Sequence, residues 1–379
     1  MRLIFACGGT AGHIYPAIAV ASRMKELYGE GEILFIGAEG HMETELVPRE
    51  GYPIETLNIT NISRDFTPEG IKHNAETVKN VLISSAKAGR IIRNFKPDAV
   101  IGTGGYVCYP VISAAHSLGI PTVVHESNAS PGLTTKMLSR KADRILVGYE
   151  GCADKYPDSS RVIATGTPVR SEFGRLSRSE ARKELGIGEN EKLVVSVWGS
   201  LGAGFMNAAV CEMIPLMMKG SEEFRLVHAT GEQYYEGFCE KLPYSDEELL
   251  SRGIEIKKFI HNMPQLMAAA DLMMCRSGAS TLSELTFMGK PALLVPSPNV
   301  TDNHQEKNAR VFEKAGAAKV ALEDELSPET LPAIISGMLS DEEGLKEMSR
   351  CSEALSSRNA ADVIARIIGE LAGLPEIMV

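Results

Sequence analysis

The stretch that decides the fold is FIHNMPQLMAAADLMMCRSGASTLSELTFMGKPALLVPSPNVTDNHQEKN, residues 259–308. Within it, the apolar run Leu272–Cys275 predicts a strand, residues 276–280 (RSGAS) predict a tight loop, and the apolar spacing of residues 281–288 predicts a helix. Backbone N–H groups at the start of such a helix lack intrahelical partners and lie at the positive end of the helix dipole. The stretch therefore predicts a site for a diphosphate at this turn.

Glu284 has two interpretations that the local sequence does not separate. It follows Ser280 by four residues and Thr281 by three, and the latter is the spacing of a capping box. On that interpretation its carboxylate caps the helix. On the other, the carboxylate accepts two hydrogen bonds from a ribose diol, as acidic residues do in nucleotide-binding βα units.

The pattern of strand, glycine loop and helix recurs along the chain. The further examples are residues 3–7 followed by GGTAGH (8–13), residues 98–101 followed by GTGGY (102–106), and residues 193–197 followed by GSLGA (199–203). Such alternation predicts an α/β fold with parallel sheets covered by helices, built as two similar Rossmann-like halves with a cleft between them. The loops are candidate anion sites, but none has the GxGxxG or GxxxxGK[ST] pattern, so a dehydrogenase or a P-loop NTPase is not indicated.

Composition limits the classes of protein further. A length of 379 residues suggests two domains, and a net charge of −10 argues against nucleic acid as a partner. The seven cysteines are odd in number and have no CxxC spacing, so neither a disulfide framework nor a zinc site is expected and a reducing cytosol fits. No apolar run approaches the ~20 residues of a spanning helix, and the apolar start is shorter than a signal-peptide core of ~7–15 residues.

Positive charge is concentrated in one region in spite of the net charge. Residues 60–145 carry eleven Lys/Arg and six Asp/Glu. Residues 71–95 predict a long amphipathic helix with a basic stripe roughly 120° wide, interrupted by Glu76. The stripe consists of Lys72, Lys79, Lys87, Arg90 and Arg93. Two interpretations stay open: a solvated face, or a membrane-surface patch over residues 71–93 and 136–144, with Ile71, Val78 and Leu82 directed toward lipid.

Several motifs, taken together and in this order, resemble the MurG family of N-acetylglucosaminyltransferases in bacterial peptidoglycan synthesis. They are residues 8–21 (GGTAGHIYPAIAVA), 102–110 (GTGGYVCYP), 125–136 (HESNASPGLTTK), 166–170 (GTPVR), 199–203 (GSLGA), 259–285 and 308–318 (NARVFEKAGAA). The resemblance covers nearly the whole chain. Family loops usually differ at four places, where this chain has Ala11, Ser127, Trp198 and His304. A ring as large as that of Trp198 is expected to crowd the adjacent glycine loop.

The resemblance implies a GT-B architecture of two Rossmann-like domains facing across a cleft. Residues 1–168 would form the acceptor- and membrane-facing domain, with a terminal helix at about 356–379 packing back on it, and residues 169–355 would bind the UDP-sugar. The implied activity is an inverting hexosyl transfer from UDP-N-acetylglucosamine (UDP-GlcNAc) to the C4 hydroxyl of lipid I, which makes lipid II. The resemblance also implies peripheral location at the cytoplasmic face of the cell membrane, roles in cell wall biogenesis, cell shape and cell division, and no metal or cofactor.

The same resemblance implies roles for particular residues. The backbone of Ile260 would hold uracil, Ser200 and the loop 279–282 the diphosphate, and Glu284 the ribose. The implied substrate-binding set is Thr10, Ala11, Gly12, Asn128, Arg170, Ser200, Ile260, Ala279, Ser280, Thr281, Leu282, Ser283, Glu284, His304 and Gln305. A single inverting displacement needs one general base and no covalent carboxylate. His13 is the leading candidate for that base, with His125 and Glu126 as alternatives that could instead orient the loop.

Three other functions are compatible with the same sequence pattern. The first is a GT-B glycosyltransferase with another lipid acceptor, such as a diacylglycerol. The second is a UDP-GlcNAc epimerase, which would convert the donor without any lipid. The third is a non-catalytic subunit that binds a sugar nucleotide.

Overall fold

The computed structural model describes residues 1–29, 31–59, 67–199, 201–220, 224–300 and 303–376. The chain divides into two compact units. The first unit is Met1–Arg170 together with Ser357–Val379, and the second unit is Ser171–Ser356. None of the helices within the described ranges combines the length and apolar content needed to cross a membrane.

The first unit is built on a sheet of seven strands. They are β1 (Arg2–Cys7), β2 (Glu32–Ala38), β3 (Ile54–Leu57), β4 (Ala99–Gly104), β5 (Thr122–Glu126), β6 (Arg144–Val147) and β7 (Val162–Ala164). The strands are parallel and lie in the order β3-β2-β1-β4-β5-β6-β7. Strand β1 has five fully buried residues, as expected for a central strand covered on both faces.

Helices cover both faces of this sheet. They are α1 (Ala11–Tyr28), α2 (Glu43–Arg49), α3 (Pro68–Phe95), α4 (Cys108–Ser117) and α5 (Leu133–Leu138). Helices α3, α4 and α5 contribute to one buried apolar cluster, and α1 contributes to another. Helix α1 begins at Ala11, so Pro16 lies in its second turn.

The second unit repeats the arrangement with six parallel strands. Its helices and strands are α6 (Arg178–Leu185), β8 (Leu193–Val197), α7 (Gly204–Met218), β9 (Arg225–Ala229), α8 (Tyr235–Cys239), α9 (Asp246–Ser251), β10 (Ile254–Lys257), α10 (Met263–Ala269), β11 (Leu272–Cys275), α11 (Ala279–Met288), β12 (Ala292–Leu294), α12 (His304–Lys314), β13 (Lys319–Val320), α13 (Thr330–Ser340) and α14 (Glu342–Ala354). The strand order is β10-β9-β8-β11-β12-β13. The expected pair of Rossmann-like parallel sheets is confirmed.

The last helix, α15 (Ala360–Leu371), returns to the first unit. Its buried residues Ile364, Ala365 and Ile368 join the apolar cluster that contains α1. An ion pair at 2.5 Å between Arg23 and Asp362 links the same two helices at the surface. Helix α15 is separate from α14, which ends at Ala354, whereas α15 begins at Ala360.

Two sequence-based boundaries need correction because strands extend further than their apolar runs. Strand β4 continues through Gly102 to Gly104, so the second glycine loop begins inside the sheet. Strand β5 likewise continues past its apolar residues Val123 and Val124 to include His125 and Glu126. Both residues pair with β6, and this fixes their backbone as part of the sheet.

The strand order identifies where ligands bind in each unit. In a doubly wound sheet, the ligand site lies beyond the carboxyl ends of the strands, where the order reverses. That position falls between β1 and β4 in the first unit and between β8 and β11 in the second. The glycine loops follow these strands.

Candidate functional site

A buried carboxylate accepts a hydrogen bond from the loop between β1 and α1. Glu43, at the start of α2, is fully buried and accepts hydrogen bonds from the N–H groups of Gly9 at 3.1 Å and Ala38 at 2.8 Å. Its charge is thus met by backbone donors, and the loop conformation depends on it. Sequence reasoning missed Glu43, since nothing in its neighbourhood distinguishes it from an ordinary acidic residue in the first turn of a helix.

His13 is fixed by its own loop in a defined orientation. Its Nδ1 lies 2.9 Å from the carbonyl oxygen of Gly8. A carbonyl can only accept, so Nδ1 carries the proton in the neutral ring and Nε2 presents a lone pair. The ring lies against Gly104 at the end of β4, where a Cβ atom would come within 2.3 Å of Cδ2. The arrangement provides a proton acceptor at the reversal point of the sheet.

His125 and Glu126 are engaged by neighbouring groups. His125 is buried, and its Nε2 lies 2.9 Å from the carbonyl of Gly166. Burial lowers the pKa of His125, so the neutral ring is favoured. Glu126 is also buried and accepts hydrogen bonds from the N–H and side-chain amide of Asn128, the N–H of Gly132 and the hydroxyl of Thr135. This geometry favours an orienting role for both residues and fixes Asn128 in place.

Three other candidates of the first unit lie close to α1. Thr10 is the residue before the helix, and its hydroxyl is 3.4 Å from Nδ1 of His13. Ala11 and Gly12 form the start of the helix. The guanidinium of Arg170 stacks on Tyr15, with its Cζ atom 4.0 Å from the ring centroid. Thr10 to His13 and Arg170 are therefore brought to the same helix.

In the second unit, α11 begins at Ala279 and is preceded by Gly278, which has no side chain to cap it. Ser280 and Thr281 lie inside the first turn, together with Leu282. The interpretation of Glu284 as the partner in a capping box is therefore wrong. Glu284 lies near buried Cys275, whose pKa is raised to about 12 by burial and further by the charge of Glu284. Ser283 bonds back to the carbonyl of Ala279 at 2.9 Å.

The turn before α11 is connected to the start of α12. The hydroxyl of Ser277 donates to the carbonyl of Gln305 at 2.7 Å, and the side-chain amide of Asn308 donates to the carbonyl of Ser277 at 3.2 Å. Both Ser277 and Asn308 are fully buried. The Oε1 atom of Gln305 accepts from the N–H of Ser297 at 2.9 Å, which orients its amide. Gln305 is therefore held against the turn that opens α11, and His304 precedes it as the first residue of α12.

The remaining candidates lie on the loops after β8 and β10. Ile260 is buried in the segment between β10 and α10. Ser200 lies outside the described residues. Trp198 does not crowd the glycine loop as expected, because its ring is turned into the apolar core of the unit and is only 2% exposed.

The described residues contain no group of three or more His, Cys, Asp or Glu side chains that could hold a metal ion. The candidate residues thus form two sets, one in each unit. The first offers the imidazole of His13 in the first turn of α1 and the amide of Asn128 on the loop after β5. The second offers a helix start, a carboxylate and an amide, which are groups that suit a diphosphate and sugar hydroxyls.

Comparisons with known proteins cover both units. Residues 3–147 match the glycosyltransferase family 28 N-terminal domain, and residues 193–366 match the glycosyltransferase family 28 C-terminal domain. A relative from Acetivibrio thermocellus, named "UDP-N-acetylglucosamine--N-acetylmuramyl-(pentapeptide) pyrophosphoryl-undecaprenol N-acetylglucosamine transferase", is 43% identical over 98% of both chains. A relative of the same name from Caldanaerobacter subterraneus is 39% identical over 97% of this chain and 99% of its own.

Solved structures show the same fold. The crystal structure of Acinetobacter baumannii MurG has a TM-score of 0.72 and 26% identity, covering 97% of this chain and 99% of that one. A UDP-GlcNAc 2-epimerase from Neisseria meningitidis, bound to UDP-GlcNAc, has a TM-score of 0.65 but 15% identity, covering 98% and 100%. The second likeness concerns the fold alone. With its two glycosyltransferase family 28 domains and its full-length relatives, the chain belongs to the MurG family of N-acetylglucosamine transferases.

Proposed function

We propose that the protein transfers N-acetylglucosamine from UDP-GlcNAc to the C4 hydroxyl of lipid I with inversion, making lipid II for peptidoglycan. The observation that carries this proposal is 43% identity over 98% of the chain to a relative named for that transfer. Identity at this level extends through both units, so both the donor and the acceptor halves of the reaction are represented. The epimerase alternative is supported only by fold likeness at 15% identity.

The donor is assigned to the second unit. The first turn of α11 supplies N–H groups and the positive end of the helix dipole for the diphosphate. The carboxylate of Glu284, in the second turn of α11, accepts hydrogen bonds from the ribose hydroxyls. Gln305 and His304 contact the sugar, and the backbone of Ile260 holds the uracil edge. Ser200 belongs to the same set by resemblance, although it lies outside the described residues.

The acceptor hydroxyl is assigned to the first unit, beside His13. The C4 oxygen attacks the anomeric carbon, the bond from that carbon to the diphosphate breaks, and UDP leaves with the electron pair. Nε2 of His13 takes the hydroxyl proton, which requires Nε2 and the C4 oxygen to approach within ~3 Å of each other. Asn128 and Arg170 position the reacting groups, and His125 and Glu126 hold the Asn128 loop. The departing negative charge is stabilised by the start of α11.

Exposed apolar and basic side chains on α3 and α5 of the first unit support contact with a membrane surface. Leu82 and Ile83 on α3 are 68% and 57% exposed, and Leu133 and Met137 on α5 are 50% and 45% exposed. The exposed cations nearby in sequence are Lys79, Lys87, Arg90, Arg93, Lys136 and Arg140. The side chains of Ile71, Lys72, Glu76 and Val78 lie outside the described set. Exposed apolar groups among cations suit an anionic lipid surface better than a purely solvated face.

Transfer is tested by incubating the purified protein with labelled UDP-GlcNAc and lipid I, diacylglycerol or no lipid. We expect label in lipid I alone. Label in diacylglycerol would favour another lipid acceptor, and conversion of the donor without lipid would favour an epimerase. An Arg170→Ala variant in the same assay should lose transfer if Arg170 positions the reacting groups.

The membrane assignment is tested by sedimentation with vesicles that contain phosphatidylglycerol. We expect the Leu82→Ser, Ile83→Ser double variant to bind the vesicles less tightly than the unmodified protein. Leu250, which is 56% exposed on α9 of the second unit, provides the control as Leu250→Ser. Equal binding by all three proteins would contradict the proposed surface.

A further inference from the structure

A connected group of buried side chains crosses the carboxyl edge of the second sheet beneath the proposed donor loops. Ser196 on β8 accepts a hydrogen bond from the indole Nε1 of Trp198 at 2.8 Å. The same hydroxyl lies 2.8 Å from Nδ1 of His228 on β9. Ser196 and His228 are fully buried, and Trp198 is 2% exposed. The hydrogen bond to Ser196 therefore fixes the orientation of the indole ring, which also packs in the apolar cluster of the unit.

Arg276, the residue that follows β11, also lies beside the indole. Its Cζ atom lies 5.9 Å from the centroid of the Trp198 ring, within the range of a cation–π contact. The guanidinium also donates to the carbonyl of Val295 at 3.0 Å and forms an ion pair with Glu323. One side chain therefore connects the segments that follow β8, β11, β12 and β13.

The backbone of the loop after β8 depends on glycine at two positions. Gly199 and Gly202 have φ values of 84° and 75°. On its far side the loop packs so tightly on the end of β9 that a Cβ atom on Gly202 would lie 2.0 Å from the Thr230 carbonyl oxygen. At the other end of the loop, Trp198 directly precedes Gly199. A loop held at both ends loses less conformational entropy when a ligand binds.

We propose that Trp198 is a positioning residue for the donor diphosphate. Through Ser196 and Arg276 it links Gly199, the first residue of the glycine loop after β8, to the turn that opens α11, so that backbone N–H groups at both places face one ligand. The inference rests on the proposed assignment of UDP-GlcNAc to this unit.

The test measures UDP binding by calorimetry for the unmodified protein and for Trp198→Phe and Trp198→Leu. Phenylalanine keeps an aromatic face but loses the Nε1–H donor, and leucine loses both. We expect the dissociation constant for UDP to rise about threefold for phenylalanine and about tenfold for leucine, in line with one hydrogen bond and one cation–π contact. The effect of Trp198→Leu should be smaller in an Arg276→Met background, because the contact is already absent there.

A matched control separates positioning from simple core packing. Met213 is fully buried in the same apolar cluster but lies on α7, away from the loop. Met213→Ala should lower the melting temperature without changing the UDP dissociation constant. If the Trp198 variants behave in the same way as Met213→Ala, the positioning role is refuted.

The sequence contains one tryptophan, so intrinsic fluorescence provides a second measurement on the unmodified protein. We expect saturating UDP to change the emission of Trp198. Emission that stays constant while calorimetry detects binding would count against the proposal. Failure of the unmodified protein to bind UDP at all would instead refute the donor assignment on which the proposal rests.

Discussion

The hydrogen bond from His13 Nδ1 to the Gly8 carbonyl decides which nitrogen of the ring can accept a proton. We expect His13→Gln to reduce turnover about 10²- to 10⁴-fold, the range for loss of a general base. UDP affinity should stay near normal, because the proposed donor residues lie in the second unit. Turnover numbers and calorimetry check both expectations, with exposed His116→Gln on α4 as the control. Near-normal turnover would remove His13 from the mechanism.

Glu284 can be compared with a glutamate that does cap a helix. Glu180 forms a capping box with Ser177 at the start of α6 in the same unit. We expect Glu284→Ala to raise the donor KM roughly 5- to 150-fold, which corresponds to about 1–3 kcal/mol of lost hydrogen bonding. Glu180→Ala should lower the melting temperature and leave the donor KM unchanged. Steady-state kinetics and calorimetry distinguish them, and an unchanged KM for Glu284→Ala would contradict the ribose contact.

The buried His228 makes the free energy of unfolding depend on pH. Burial lowers its pKa to about 3, and its Nε2 has no hydrogen-bond partner among the described residues. The unfolded chain, with an ordinary histidine pKa of about 6.5, therefore binds a proton that the folded chain does not. Stability is fully present above pH ~6.5 and falls as the pH is lowered towards 3, by on the order of 1 kcal/mol per pH unit.

His228→Asn should flatten this acid limb, since asparagine can still bond Ser196 but does not titrate. Chemical denaturation at a series of pH values provides the measurement. His116→Asn, on the surface of α4, is the control and should leave the limb unchanged. An equally steep limb in His228→Asn would show that another group controls acid unfolding.

At the scale of elements, the sequence located the central strands better than the edges. Strands β1, β8 and β11, and the first three residues of β4, are largely apolar runs buried on both faces, so the apolar pattern alone predicts them. Strands β3 and β7 have four and three residues with mixed burial, which leaves no periodic signal. They form because a neighbouring strand offers hydrogen bonds, and that depends on the assembled sheet.

The packing of helix α15 also depends on the assembled structure, at one glycine. A Cβ atom on Gly369 would lie 1.9 Å from the hydroxyl of Tyr28 at the end of α1. We expect Gly369→Ala to destabilise the first unit by about 1–3 kcal/mol through overpacking. Gly337, inside α13, has no atom within 4 Å of its added Cβ, so Gly337→Ala should stabilise by up to about 1 kcal/mol. Thermal unfolding of both variants gives the comparison, and equal shifts would contradict the close contact.

At the scale of the whole molecule, we expect removal of the C-terminal segment to destabilise the first unit and to leave the second unit unaffected. Ending the chain at Ser356 removes α15 and exposes the apolar surface that Ile364, Ala365 and Ile368 cover. The two isoleucines alone account for roughly 3–6 kcal/mol of burial. We expect calorimetry to show a lower first-unit transition, while the second unit keeps its own transition and its affinity for UDP. A chain ending at Leu374, which keeps α15, is the control, and unchanged unfolding of the shorter chain would refute the prediction.

The sequence by itself determined the alternation of buried strands, glycine loops and helices, and the motifs that carry family membership. It could do so because burial on both faces demands apolar runs and tight turns demand glycine, and both are local properties. Only the tertiary structure decided which groups face each other. Glu43 reaches Gly9 across 34 residues, His125 reaches Gly166 across 41, and Arg276 reaches Glu323 across 47. Such pairings follow from strand order and from the packing of loops at one edge of a sheet, so no local pattern in the chain encodes them.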